Sequence, residues 1–257
     1  MATIGTVLFA LAIAGALSHP FLAAALGLNA HGHQHLYAHG HPFIDARTLW
    51  GIPNALDVLS NLPFALFGVW GLWALRGATH LAVAPRRAAQ VFFVGLLLTC
   101  AGSSYYHWAP DTWGLCIDRA GMAVAFAGVL GLAAAERVSQ RATPWVLTAI
   151  LGAAALAIPL QYFSGNIAPW LVLQFGGMAV VLWAASQRAV PGAWGIRWGA
   201  VIAWYVLAKL LELGDAAVFH ASGEFMAGHS LKHIAASLAA LPVISALRHN
   251  AYQRAKS

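Results

Sequence analysis

Between scarce and unevenly spaced polar positions, the chain carries eight long apolar runs, at residues 4–28, 56–75, 88–108, 117–135, 145–163, 170–187, 195–213 and 229–247. Each is close to the roughly 20 residues that a helix needs to cross a hydrocarbon layer about 30 Å thick. The runs are continuous rather than alternating, so they read as helices and not as strands of a membrane barrel. The expected fold is all-α and integral to the membrane. The last seven runs form a seven-transmembrane-helix core, and the first is an additional N-terminal hydrophobic helix. Residues 1–53 then hold that helix, or a signal, together with a His-rich segment, and residues 54–257 hold the seven-helix membrane domain. The first run has the length of a retained helix, while Leu28-Asn29-Ala30 loosely resembles a small-residue cleavage site, so both fates stay open.

Composition agrees with burial in lipid. Of the 257 residues 60% are hydrophobic and 9% charged, and the mean hydropathy is +0.70, against about 25% charged in a soluble domain. A net charge of +6 could serve nucleic acid only if the basic residues clustered on one soluble face, and they do not. Instead Arg76, Arg86, Arg87, Arg137, Arg141, Arg188, Arg197, Arg248, Arg254 and Lys256 fall on one side of seven alternating helices, leaving Arg47 in the loops of the other. Basic short loops stay cytoplasmic, which predicts a cytoplasmic C-terminus, most simply at the cell membrane. Asp45, Asp57, Asp111, Asp118, Glu212, Asp215 and Glu224 partition to the outer side, with Glu136 alone inside. A polar chamber near the outer face is the expectation. Cys100 and Cys116 are too few for a disulfide framework or a cysteine metal site.

Three histidines sit at outer helix ends: His107 closes the second core helix, and His229 and His233 open the seventh. An i, i+4 pair lies on one helical face, so two imidazoles reach one ion and an opposing helix can supply the third. Three imidazoles with one open position describe a catalytic Zn²⁺ site. The bland alternative for each is an interfacial hydrogen-bonded side chain. Asp118 reads either as a general acid and base or as a helix N-terminal carboxylate favoured by the dipole and paired with Arg119. Ser103, four residues before His107, reads either as an oxyanion donor or as a helix serine bonded to its own i−4 carbonyl.

Together these residues resemble the alkaline ceramidase family, part of a wider superfamily of seven-helix membrane hydrolases that includes the adiponectin-type receptors. The carrying pattern is Ser103-x3-His107, then Asp118 eleven positions on, then His229-x3-His233 opening the last helix, with Ser60-Asn61 near the start of the first core helix. The resemblance implies zinc on His107, His229 and His233, Asp118 acting on the attacking water, and Ser103 helping to hold the oxyanion. It implies cleavage of the amide of ceramide or a similar N-acyl lipid, releasing a fatty acid and an amine. The family's acidic calcium-binding segment has no counterpart here, where Asp45 is the one acidic residue before Trp50, so calcium is not expected. In its place stand His31, His33, His35, His39 and His41, which read equally as a metal-capturing tract or a solvated loop.

Other positions carry plainer expectations. Asp57 and Asn61 are interhelical glue, and Glu212 and Asp215 are solvated interfacial residues. Lys232 points away from the histidines toward lipid headgroups. Tyr105, Tyr106, Trp108 and Trp113 form an interfacial belt. Two other function classes remain: a metal transporter or sensor, suggested by the His-rich tract, and a non-catalytic receptor with a structural zinc.

Overall fold

A computed structural model describes residues 43–79 and 81–254. The first apolar run and the tract His31–His41 lie outside the described residues. Among those residues the regular structure is helical, apart from one isolated bridge between Leu49 and Ile52. Six helices are long and apolar enough to cross a membrane, as in a multi-pass membrane protein: α1 (Ala55–Arg76), α2 (Val83–Trp108), α3 (Thr112–Arg137), α4 (Gln140–Ser164), α5 (Ala168–Ser186) and, last in the chain, α8 (Gly228–Ala251). Between α5 and α8 lie α6 (Trp198–Leu213) and the short α7 (Asp215–Ala221). The sixth expected core run, 195–213, is thus the 16-residue α6, which rises about 24 Å against a layer of about 30 Å.

Local signals explain several helix starts. Pro144 and Pro169 lie near helix starts, and Pro63 stands where α1 resumes at Leu62 after a break at Ser60–Asn61; there proline's missing N–H costs nothing and its fixed φ suits a helix. Asp111 caps α3 by accepting a hydrogen bond from Gly114 N–H at 2.5 Å, so the helix begins five residues earlier than the apolar run indicated. Asp118 therefore lies in the second turn, and the dipole-stabilised N-terminal reading of it is corrected.

Lipid tails offer no hydrophobic drive between helices, so close backbone approach must hold them together. Along α1 the residues Leu62, Leu66, Val69 and Trp73 form an exposed apolar stripe. On the inward faces, glycines stand at heptad spacing on both partners of the tightest pair, Gly95 and Gly102 on α2 and Gly121 and Gly128 on α3. A Cβ added at Gly102 would meet the Ile117 carbonyl oxygen at 2.7 Å and the Asp118 Cα at 3.1 Å. The backbones of α2 and α3 are in contact at the turn that carries Ser103 and Asp118.

At the opposite end of the bundle Glu136, buried at 2% exposure, binds the loop between α5 and α6. Its carboxylate accepts from the N–H groups of Trp194 and Ile196, and its carbonyl accepts from Val190 N–H. Arg137 donates to the Gln187 carbonyl at 2.9 Å. A buried carboxylate with this set of donors is a structural clamp.

Candidate metal centre

His107, His229 and His233 converge, with one nitrogen from each ring lying within 4.8 Å of the others. Their ring centroids form a nearly equilateral triangle with sides of 4.9, 5.0 and 5.0 Å. The Nε2 atoms of His107 and His229 are 3.4 Å apart. Ligands on a tetrahedron with arms of about 2.0–2.1 Å stand about 3.3–3.4 Å from one another. The His107–His229 pair has that spacing, and three nitrogen donors gathered within 4.8 Å could hold a small divalent ion such as zinc.

The surrounding shell orients these rings. Ser60 Oγ lies 2.8 Å from His233 Nδ1 and donates to the Asp57 carbonyl at 3.0 Å. A hydroxyl that gives its one proton to the carbonyl must accept from the ring, which places the imidazole proton on Nδ1 and leaves the Nε2 lone pair for a metal. His229 N–H donates to Asp215 Oδ1 at 2.7 Å, so Asp215 caps the first turn of α8 from another helix. Asn54, held at φ 46° in a left-handed conformation that asparagine tolerates, donates its side-chain amide to the His107 carbonyl at 2.7 Å.

Asp57 and Asn61 are fully buried, but only Asp57 bonds another helix, while Asn61 donates to carbonyls of its own helix. Asp57 Oδ1 accepts from Ser230 Oγ of α8 at 2.6 Å, and Asn61 Nδ2 donates to the Asp57 carbonyl at 2.9 Å. The start of α1 is thereby tied to the helix carrying two of the three histidines.

The Phe43 ring covers the rings of His107 and His229, at centroid distances of 4.4 and 4.8 Å. Its segment is fastened by Arg47, which grips the buried Asp45 with two bonds of 2.7 Å and donates to the Phe225 carbonyl at 3.0 Å. No signal in the sequence distinguished Phe43 from the other aromatics.

Ser103 and Asp118 face each other across the α2–α3 contact, the serine hydroxyl bonding the carboxylate. Both line a cavity that His233 also enters. The cavity runs between α1, α2, α3, α5, α6 and α8. Away from its polar end it is lined by Phe64, Phe92, Leu96, Met122, Phe126, Val129 and other apolar side chains. On α5 it meets Gln174 and the stretch Val172–Gly176, a π-helical turn of the sort often found beside functional sites.

Three expectations are corrected here. Lys232 does not reach for lipid headgroups: it lines the cavity and pairs with Glu212 at 2.7 Å, which also pairs with Lys209 at 2.5 Å. Glu212 is accordingly a bridge between α6 and α8 rather than a solvated interfacial acid, and Asp215 is a helix cap. Tyr106 leaves the aromatic belt, being buried against Phe43 and His107, whereas Tyr105, Trp108 and Trp113 are exposed as a belt requires.

The arrangement thus offers a three-imidazole metal site, a carboxylate and a hydroxyl one helix away, and an apolar cavity leading from them. No protein-family model, curated protein or solved structure matches the chain.

Proposed function

We propose that the protein is a zinc-dependent membrane hydrolase of the alkaline ceramidase type, cleaving the amide bond of ceramide or a similar N-acyl lipid. The observation that carries this reading is the meeting of His107, His229 and His233, the last of which also lines, with Ser103 and Asp118, a largely apolar cavity. Zn²⁺ on the three imidazoles supplies a Lewis acid and a water whose pKa falls to about 7.

The remaining work falls to the chain's own groups. The Asp118 carboxylate takes a proton from the attacking water and hands it to the departing amine nitrogen. The Ser103 hydroxyl donates a hydrogen bond to the oxygen that becomes negative as the carbonyl is attacked. Ser60 keeps His233 in the tautomer that leaves Nε2 free. Phe43 shields the imidazoles and so strengthens the electrostatics within the site. An acyl chain arriving from the membrane lies in the apolar cavity between α1, α2, α3, α5, α6 and α8, in a core of seven helices with the site toward the outer face of the cell membrane and the C-terminus in the cytoplasm.

Transport of a metal would call for polar groups continuing beyond the triad. Among the described residues the way is instead lined by phenylalanine, leucine and valine, and Glu136 at the far end is bonded to backbone N–H groups, which favours hydrolysis.

The test is to incubate the purified, zinc-loaded protein with N-acyl lipids and measure released fatty acid by mass spectrometry. Release is expected from the wild type. Asp118→Asn is expected to lose at least 100-fold in turnover, the low end of the range for general acid–base catalysis, with its zinc content unchanged. A zinc-loaded protein that cleaves none of the amides refutes the assignment and leaves a receptor with a structural metal.

A further inference from the structure

We infer that the cavity is a molecular ruler that selects a single acyl chain of about 12–14 carbons, with Phe92 at its floor. The inference rests on the hydrolase reading for the identity of the chain's head group, while its length is read from the cavity itself.

Three helices give the same depth. The lining extends from Ser103 to Phe92 on α2, from Asp118 to Val129 on α3 and from Glu212 to Val201 on α6, eleven residues in each case. At about 1.5 Å per residue this is about 16 Å. Beyond that level the bundle is closed by Leu130, Trp198, Val243 and Ile244, all exposed by 2% or less. An extended hydrocarbon with bonds of about 1.5 Å in a tetrahedral zigzag advances about 1.25 Å per carbon. From a carbonyl held between Ser103 and Asp118, about 13 carbons reach the floor.

The polar groups agree with this direction. The charged ones, Lys209, Glu212, Lys232 and Asp118, gather at the histidine end, with the uncharged Thr99, Gln174 and Tyr205 further along, so a head group belongs at the charged end and the tail points away from it. The lining also offers a small residue at which the ruler could be shortened. Ala236 lies on α8 one turn beyond His233 and faces the cavity, so a bulky side chain there would block the path about 4.5 Å below the site.

Each methylene added within the tube should tighten binding roughly fourfold, the equivalent of burying one CH₂, and methylenes past the floor should add nothing. Two independent readouts separate this inference from the catalytic one. Thermal stabilisation of the zinc-loaded, detergent-solubilised protein by free fatty acids of 8 to 20 carbons reads the tube without turnover. Hydrolysis of N-acyl sphingosines over the same lengths reads it with turnover.

Stabilisation should climb to about 14 carbons and stop. Ala236→Phe should move the break to 6 carbons or fewer, and Phe92→Ala should move it about three carbons longer. Ala236→Leu and Phe92→Leu, which disturb packing less, should shift it in the same directions by smaller steps and serve if the larger changes fail to yield monodisperse protein. A wild-type response that keeps rising through 20 carbons, or a break that no variant moves, overturns the ruler. A break in the fatty-acid series without hydrolysis of any amide upholds the ruler and removes the hydrolase assignment instead.

Discussion

Replacing Ser60 by alanine isolates the support beneath the metal site without touching a ligand. The hydroxyl accepts from His233 Nδ1 at 2.8 Å and donates to the Asp57 carbonyl at 3.0 Å, in a place where Ser60 and His233 are both buried. In Ser60→Ala the Nδ1–H loses its side-chain acceptor and keeps only its contact with the Asp57 carbonyl, so the ring is held less firmly. The ring can recover by moving its proton to Nε2, but that tautomer withdraws the lone pair that a metal needs. Either route weakens zinc binding by about 10–100-fold, the usual effect of removing a partner of a ligating histidine, or about 1.4–2.7 kcal/mol. The assay is competition of the detergent-solubilised protein against a chromophoric chelator, with Ser60→Thr, which keeps the hydroxyl, as the comparison. The alanine variant should release zinc at lower chelator concentration, and the threonine variant should stay close to wild type. Zinc affinity within twofold of wild type in Ser60→Ala would refute the tautomer argument.

Phe43→Ala opens the covered side of His107 and His229, so zinc should leave to excess chelator at least several times faster in a stopped-flow measurement, with the equilibrium affinity less affected. Gly102→Leu drives a side chain into the Ile117 carbonyl, where overpacking costs about 1–3 kcal/mol. Its thermal midpoint and its zinc affinity should fall together because α2 carries His107. Glu136→Gln weakens a clamp whose bonds to a charged acceptor contribute about 1.5–3 kcal/mol each, and it should lower thermal stability while the chelator titration stays at the wild-type value.

Much of the architecture was legible because one solvent dictates it. Lipid demands continuous apolar helices, so the runs announce themselves, and the alternation of basic loops by itself puts His107, His229 and His233 at one depth. What was not legible depends on partners distant in the chain. Lys232 looked like a residue for headgroups because its counterion, Glu212, sits 20 positions away on another helix. Asp215 looked merely interfacial because the N–H that it caps belongs to His229, 14 positions on. Ser60 could be noticed as half of a Ser-Asn pair, but its contact with His233 spans 173 positions. Phe43 had no periodicity to place it, since it lies in a loop whose path is set by Arg47 and Asp45. The 16-residue length of α6 was hidden by apolar residues that continue beyond its ends.

The glycine seam between α2 and α3 has a mechanical consequence. Where two backbones abut, no side-chain rotamer lies between them to yield, so the separation of His107 and Ser103 from Asp118 is fixed by atomic radii. When the surrounding bilayer thins, thickens or tilts the bundle, this pair travels as one rigid strut. The α6 helix packs closely on α8 and is tied to it by the Lys232–Glu212 ion pair, so these two helices move together against the strut while the reacting groups on α2 and α3 keep their spacing.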